Sequence, residues 1–303
     1  MSTFEEIKEI MEKHKNSVTG KIGIGYKNFK TGDEYYVNGD DRFPSASKFK
    51  VPVLIELFNQ DNLGKISLKT MYTLKEEDIA PGSGVLSNLT PGLSMSIRDY
   101  AVLMMAVSDN TATDIIYNML GRDNIAATIE KLGLKNTKAD MNCKVLLLTP
   151  LGVPLDTGWD EIRRIFEERD YKKDYSWITD MSIPNDISSP RDMITMFSSI
   201  YHKEIITPEA CDQMLHIMEK CEGIRRIPHF LPRRGPNAVK VIHKTGTLEY
   251  INCDSGIIIS DDHTYCLSIF YNGFTGDPTD KTRAFDNDMI CAQVSGDIYK
   301  ALH

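Results

Sequence analysis

The 303-residue chain lacks any apolar run long enough to cross a bilayer as a helix. It also lacks an excess of basic residues: its net charge is -8 and its pI about 5.4, which disfavours nucleic acid and anionic membranes as partners. The six cysteines include no C-x-x-C pair, and the seven histidines show no metal-ligand spacing. We therefore expect free thiols, no metal and no other cofactor.

The first residues, MSTFEEIKEIMEKHK, lack an apolar core followed by a cleavage site of small residues. They predict an amphipathic helix rather than a signal peptide. The composition, 41% hydrophobic and 26% charged, is that of an ordinary globular protein. From these features we predict a cytoplasmic monomer that does not bind membranes. A secreted protein from which a leader has been removed is the alternative.

Secondary-structure patterns give the order helix, two strands, many helices, about three strands and a final helix. This order predicts an α/β (α+β) fold, in which an antiparallel sheet from both chain ends is flanked by helices and carries an inserted all-α lobe. We place the α/β lobe at residues 1–50 and 215–303 and the helical lobe at 51–214 of a single domain. Residues 144–180 show little periodicity and predict a long surface insert.

The stretch FPSASKFKVPVLIEL, residues 43–57, crowds two serines and two lysines at the start of an apolar helix. On a helical wheel, Ser47 and Lys50 share the arc destined for burial, whereas Lys48 and Glu56 lie on the polar side. Burial lowers the pKa of a lysine, so Lys50 could serve as a base for the Ser47 hydroxyl. This S-x-x-K pattern is weak by itself, because a lysine that extends to water along an amphipathic helix gives the same spacing.

A second segment, MMAVSDNTATD, ends one predicted helix and begins another. Ser108 and Asn110 lie in the connection, where a hydroxyl could pass a proton to a leaving nitrogen and an amide could hold a substrate amide. Thr111 and Asp114 fit a capping box for the second helix. A well-capped joint of this kind also forms without any catalytic purpose.

A third segment, VIHKTGTLEY, continues a β-branched strand. The ammonium of Lys244 and the hydroxyls of Thr245 and Thr247 are suited to binding a carboxylate. Gly246 removes bulk where a ligand could approach the strand. If the two lysines are close, Lys244 would also depress the pKa of Lys50. A lysine and a glycine near a strand end are, however, common in strands that bind nothing.

The patterns S-x-x-K, S-D-N and K-T-G follow one another on a predicted helix, loop and strand. This combination occurs in class A β-lactamases and penicillin-binding proteins. The segments FPSASKFKV, PGSGVLSNL, SDNTATDIIYNMLG, SSPRDM and RIPHFLP are also similar to that family. The chain thus resembles the class A β-lactamase-like serine hydrolases over most of its length. The resemblance implies an α/β lobe and an all-α lobe with the site between them, and an acyl-enzyme pathway.

On this resemblance, Ser47 is the nucleophile, Lys50 its base or proton relay, and Ser108 the group that serves the leaving nitrogen. Asn110 would bind the acylamino group of the substrate. The backbone N–H groups of Ser47 and Thr247 would form an oxyanion hole. The resemblance also implies that the substrate, through its carboxylate, is bound at Lys244, Thr245, Gly246 and Thr247.

One element of the family pattern is missing from the sequence. In class A β-lactamases, the glutamate of an E-x-x-L-N loop activates the water that hydrolyses the acyl-enzyme. The chain contains no such motif. Alignment from the N-terminal side places Asn142, Cys143 or Lys144 near that glutamate, whereas alignment from the C-terminal side points to residues 173–176. Carboxylates that the insert could supply instead are Glu167, Glu168, Asp174 and Asp180.

These features predict a serine hydrolase that attacks amide (β-lactam-like) bonds through an acyl-enzyme on Ser47 and deacylates β-lactams slowly. One alternative is a true β-lactamase with its deacylating carboxylate in the 144–180 insert. Others are a penicillin-binding sensor and a peptidase- or esterase-type acyltransferase. The expected ligand is a small amide or a β-lactam, and the sequence leaves the natural substrate open.

Overall fold

The strands come from both ends of the chain in the computed structural model, which describes residues 2–168, 172–277 and 287–303. The five long strands are β1 (Lys21–Asn28), β2 (Glu34–Val37), β7 (Lys240–Leu248), β8 (Ile251–Ile259) and β9 (Thr264–Asn272). They form one antiparallel sheet in the order β2-β1-β9-β8-β7. Two short antiparallel pairs lie outside it: β3 (Phe43–Pro44) with β6 (Ile187–Ser188), and β4 (Met71–Thr73) with β5 (Ser94–Ser96). The predicted sheet is confirmed.

Helices cover both faces of this sheet and fill the middle of the chain. Within the described ranges they are α1 (Thr3–Ser17), α2 (Lys50–Asn62), α3 (Ile97–Ala106), α4 (Asn110–Leu120), α5 (Arg122–Lys131), α6 (Cys143–Leu148), α7 (Trp159–Glu168), α8 (Ser176–Thr179), α9 (Pro190–Tyr201), α10 (Pro208–Met218) and α11 (Asn287–Leu302). No helix in the described part of the chain has the length and apolarity of a membrane span.

The central strands β8 and β9 are buried along almost their whole length, and their sequences INCDSGIII and TYCLSIFYN accordingly show no simple alternation of polar and apolar residues. Strands covered on both faces have this character. Helices α1 and α11 pack on one face, with Ile7 and Val294 in their shared core. Helix α9 packs on the other face through Ile194 and Phe197. The sheet is therefore a rigid layer against which the helical lobe is fixed.

The insert predicted at residues 144–180 is partly helical, because α6, α7 and α8 lie within or across it. Helix α7 was not predicted, because its sequence is rich in charged residues and shows little periodicity. It buries Ile162, and on its exposed side Arg164 pairs with Glu161 and Glu168. The end of the insert docks on the sheet, where the Asn272 side-chain amide donates to the carbonyl of Ile178 at 2.7 Å.

Candidate active site

Ser47 lies on a short 3₁₀ turn, Ala46–Phe49, which leads directly into α2 at Lys50. Side chains three residues apart lie on the same side of a 3₁₀ helix, so the S-x-x-K spacing puts Ser47 and Lys50 on one side of the turn even though the turn is not α-helical. Ala46 has a φ of +44°, a left-handed conformation that costs a non-glycine residue about 1–2 kcal/mol. The strain falls on the residue that directly precedes the predicted nucleophile.

The Lys50 amine is fully buried, as the sequence predicted. Its Nζ donates to the Ser108 carbonyl at 2.8 Å, to Ser108 Oγ at 3.1 Å and to Asn110 Oδ1 at 2.7 Å. Burial lowers the pKa of Lys50 from its ordinary value. The amine is thus both fixed in position and prepared to lose its proton.

The hydroxyl of Ser108 connects the three sequence motifs. Its Oγ accepts from Nζ of Lys50 and, at 3.0 Å, from Nζ of Lys244, which also donates to the Thr245 carbonyl at 2.9 Å. Burial, with an added contribution from the charge on Lys50, lowers the pKa of Lys244 to about 8. The predicted effect was of Lys244 on the pKa of Lys50, whereas the coupling appears as an effect of Lys50 on the pKa of Lys244. A hydroxyl held between two amines of lowered pKa can relay a proton.

The loop that presents Ser108 is strained, and its helix cap differs from the sequence prediction. Ser108 has a φ of +57°. Helix α4 is capped by Asp109, whose Oδ1 accepts from the N–H of Ala112 at 2.9 Å, so the capping box predicted at Thr111 and Asp114 is wrong. The left-handed turn at Ser108 lets the helix begin earlier than the sequence pattern suggested. Both side chains of the predicted box have other partners, and Thr111 accepts from the N–H of Ala80.

A cleft of about 340 Å³ opens beside Ser108. Its volume is at the lower end of the range of small-molecule sites. The predicted site residues that line the cleft are Ser47, Ser108, Thr245 and Thr247. The amines of Lys50 and Lys244 both donate to the Ser108 hydroxyl on the wall of the cleft. The other lining residues are Ser83, Ala106, Val107, Glu222 and Gly223. The structure thus brings the three motifs together around one cleft.

Two of the residues predicted to bind substrate, Asn110 and Gly246, contact other parts of the protein. The buried Asn110 amide accepts from Lys50 and donates to the Pro81 carbonyl at 2.7 Å, so it positions the amine. A Cβ on Gly246 would lie 2.7 Å from the Ser45 carbonyl oxygen, which shows that the glycine allows the strand to pack against the nucleophile turn. Direct contact of either residue with substrate stays a prediction.

The buried guanidinium of Arg226 is a site residue to which the sequence analysis gave no role. It donates to Thr247 Oγ1 at 2.6 Å, to the carbonyl of Gly246 at 2.7 Å and to Asp288 Oδ1 at 2.7 Å. Arg226, its charge paired with Asp288, therefore fixes the end of β7 beside the cleft. The sequence signal for Arg226 is its segment, RIPHFLP, which is similar to the family but does not mark the arginine as a site residue.

Lys48 lies in a different place from the one predicted. Its side chain is fully buried, and its Nζ donates to Ser255 Oγ at 2.9 Å and to the Ile269 carbonyl at 3.3 Å. The prediction of a polar arc is wrong because the nucleophile turn packs against β7 and β8 as well as α2. Lys48 thus ties the turn to the sheet, while Lys50 serves the cleft.

Alignment from the N-terminal side gave three candidates for the position of the family glutamate: Asn142, Cys143 and Lys144. Of these, Cys143 is the buried one. The Asp114 carboxylate accepts the N–H of Cys143 at 2.6 Å and that of Lys144 at 2.8 Å, which fixes this backbone against α4. The Cys143 side chain is buried and close enough to the Lys50 amine for each group to shift the pKa of the other. Burial raises the pKa of its thiol well above the ordinary value. A neutral thiol, rather than a carboxylate, therefore lies next to Lys50.

The acidic residues of the insert lie elsewhere. Glu168 pairs with Arg164, Asp174 accepts from the N–H of Ser176, and Asp180 accepts from Ser182. Glu167, Glu168, Asp174 and Asp180 are all exposed, and none is among the described residues that line the cleft. Among those lining residues, the one carboxylate is that of Glu222, at the end of the chain segment that follows α10.

The left-handed conformation of Ser108 gives a stability prediction. We expect Ser108→Gly to be about 1 kcal/mol more stable than Ser108→Ala, since both remove the hydroxyl but only glycine adopts positive φ without cost. Urea unfolding of the two variants measures the difference. Equal midpoints, or a more stable alanine variant, would show that the loop carries no such strain.

Comparison with known proteins places this cleft in a family. The model of the beta-lactamase enzyme family matches residues 2–302. Beta-lactamase CARB-4 of Pseudomonas aeruginosa is 29% identical over 140 residues, which are 46% of this chain and 48% of that protein, so the match spans about half the length of this relative. A beta-lactamase of Phocaeicola vulgatus is 23% identical, over 93% of this chain and 80% of its own.

Solved structures share the fold along the whole chain. A beta-lactamase from Sphaerobacter thermophilus superposes with a TM-score of 0.76 at 24% identity, over 99% of this chain and 96% of its own. An acyl-enzyme complex of a PBP-A variant with penicillin G gives the same TM-score and identity, over 98% of this chain and 96% of its own. The family model, the shared fold and the meeting of the three motifs at one hydroxyl agree: this chain belongs to the beta-lactamase enzyme family.

Proposed function

We propose that the protein is a serine hydrolase that opens β-lactams or related amides through an acyl-enzyme on Ser47. The observation that carries the proposal is the Ser108 hydroxyl, held at 3.1 Å from Lys50 Nζ and 3.0 Å from Lys244 Nζ on the wall of the cleft that Ser47 lines. The hydroxyl nucleophile, an amine of lowered pKa and a proton relay are the groups that acyl transfer requires.

Proton movements follow from these contacts. Neutral Lys50 removes the proton from the Ser47 hydroxyl as its oxygen attacks the carbonyl carbon of the amide. When the carbon–nitrogen bond breaks, the leaving nitrogen takes the proton of Ser108, which regains one from the neighbouring amines. The N–H groups of Ser47 and Thr247 are proposed to stabilise the negative oxygen of the tetrahedral intermediate.

The substrate is proposed to carry a carboxylate. Thr245 and Thr247 line the cleft, and the Lys244 ammonium donates to Ser108 Oγ on its wall. Arg226, paired with Asp288, donates to Thr247 Oγ1 at 2.6 Å and so holds this hydroxyl in place. Charged donors such as the Lys244 ammonium bind carboxylates strongly when water is excluded. Small anionic amides, including penicillins, meet this requirement.

Deacylation is proposed to be slow, so that the protein holds its acyl group for long periods. Attack of water on the ester needs a base. Burial raises the pKa of the Cys143 thiol beside Lys50 well above its ordinary value, so the thiol stays protonated and cannot accept a proton from water. A PBP-A variant with a similar fold was solved as an acyl-enzyme complex with penicillin G. A deacylating carboxylate from the insert has no support among the described positions of its acidic side chains.

A fluorescent penicillin tests the proposal. We expect one label per wild-type molecule, persisting for hours after excess reagent is removed, and no label on Ser47→Ala. Ser45→Ala is the matched control, because Ser45 and Lys48 have the same S-x-x-K spacing but Ser45 is buried against the turn. Labelling of Ser47→Ala, or loss of labelling in Ser45→Ala alone, would identify a different nucleophile. Rapid return of the unmodified mass would reject slow deacylation.

The lowered pKa of Lys244 gives a pH prediction. We expect the second-order rate of acylation by penicillin to fall as pH rises through about 8, because Lys244 then loses the charge that attracts the substrate carboxylate. Stopped-flow labelling between about pH 6 and pH 10 measures this pH dependence, because the interval spans both the lowered pKa of Lys244 and the ordinary pKa of a lysine. The methyl ester of the same penicillin is the control, since it has no carboxylate. If both compounds lose reactivity at the same pH, the titrating group does not act through substrate charge.

A further inference from the structure

A second cluster of ionisable groups lies along β7, outside the acylation cleft. His243 and Asp254 are both buried, and the His243 Nδ1 lies 2.9 Å and 3.1 Å from the two carboxylate oxygens of Asp254. Cys221 and His243 line the same cleft, and the charge of each acts on the pKa of the other. Because Asp254 occupies Nδ1, Nε2 is the nitrogen that remains for the thiol. The three side chains form a Cys–His–Asp arrangement.

The charges in this cluster support one another. Burial disfavours a charged imidazole, but Asp254 and Cys221 outweigh it and raise the pKa of His243. Burial would likewise raise the pKa of the Cys221 thiol, but the charges of His243 and Lys244 reverse the effect and lower it. The groups around the sulfur therefore favour a thiolate–imidazolium pair at neutral pH.

Cys221 also differs from the other cysteines in its access to solvent. Cys221 is partly exposed, whereas the remaining five cysteines are buried. It lines a cleft of about 410 Å³ that has no lining residue in common with the acylation cleft. His243 forms part of the wall, and the charged groups on the cleft are Arg233, Lys240 and Glu219. Two cations against one carboxylate favour small anionic reactants.

We propose that Cys221, with His243 and Asp254, is a thiolate site that reacts with small anionic disulfides by thiol–disulfide exchange. The Cys221 sulfur attacks one sulfur of the disulfide, and a new S–S bond forms as the old one breaks. The leaving sulfur carries away the electron pair and takes a proton from the His243 imidazolium, which no longer faces the Cys221 thiolate. The disulfide is the oxidant, so Cys221 is oxidised and one thiol is released. None of these steps uses the acylation residues.

Oxidised glutathione is the probe for the modification. We expect the mass of the reduced protein to increase by one glutathionyl group, located on Cys221 by peptide mapping. Cys221→Ser should take up none, and Cys211→Ser, which removes a buried thiol, should behave as wild type. A mixed disulfide on another cysteine, or modification of Cys221→Ser at the wild-type rate, would overturn the proposal.

The role of His243 is tested by rate and pH. With dithiobis(nitrobenzoate) as the disulfide, we expect the wild type to react roughly tenfold faster at pH 7 than His243→Gln, because the neutral amide leaves the thiol mostly protonated. Far-UV circular dichroism checks that the variant folds. A second test needs only the wild-type protein. Its rate of reaction with the disulfide should reach half of the maximum at a lower pH than the rate of free glutathione does in the same buffers. Identical pH profiles would refute an activated thiolate.

Discussion

Replacing Cys143 by glutamate is expected to convert a long-lived acyl-enzyme into one that turns over. The new carboxylate would lie beside Lys50, at the position where the chain now has a neutral thiol. A positioned general base contributes about 10²- to 10⁴-fold to a proton-transfer step, so deacylation should accelerate by an amount in that range. Time-resolved intact mass spectrometry after a pulse of penicillin measures the lifetime of the adduct.

The matched control for this change is Cys143→Gln, which has the size and hydrogen-bonding groups of glutamate but no base. We expect its adduct to persist as in the wild type. Two results would contradict the prediction: an adduct whose lifetime is unchanged in a folded Cys143→Glu protein, or equal acceleration by glutamine. The second result would mean that disturbance of the backbone held by Asp114, rather than a carboxylate, admits the water.

Replacing Lys50 by methionine is expected to lower the acylation rate by about 10²- to 10⁴-fold while leaving Ser47 in place, because the base for the serine proton is lost. Methionine fills the buried volume without introducing a charge. Labelling by fluorescent penicillin, at concentrations that resolve a slow single-exponential rise, measures the rate.

Lys50→Arg separates base catalysis from simple charge. Arginine keeps a cation near Ser108 and Asn110 but stays protonated, so it cannot remove a proton. We expect it to be as slow as the methionine variant over the whole pH range. Recovery of the wild-type rate in Lys50→Arg would show that the charge alone is sufficient and that another group takes the serine proton.

The meeting of the three motifs at one cleft could be predicted because each motif is a short local pattern. Ser47 and Lys50 are three residues apart, and Ser108 lies in a tight connection between two helices. Each pattern was weak alone, and their order along the chain made the prediction strong. The position of each segment follows from local turn geometry, which a short stretch of sequence largely specifies.

The environment of individual polar residues was predicted less well. Lys48 and Glu56 were placed on a polar side of α2, yet both are buried. Glu56 accepts hydrogen bonds from Thr128 Oγ1 at 2.6 Å and from Gln60 at 2.7 Å. A helical wheel assumes one buried face, whereas every residue from 50 to 58 is buried in this helix. Burial on all sides depends on neighbours that are distant in sequence.

The sequence by itself determined the family, the candidate acylating groups and the sheet built from both chain ends, since these follow from local motifs and strand patterns. Only the tertiary structure decided that Cys143 lies near Lys50, because the Asp114 carboxylate binds the backbone N–H groups of Cys143 and Lys144, about 30 residues further along the chain. It likewise decided that Cys221, His243 and Asp254 meet, because the pairing of β7 with β8 and the packing of the segment after α10 bring together residues that share no motif.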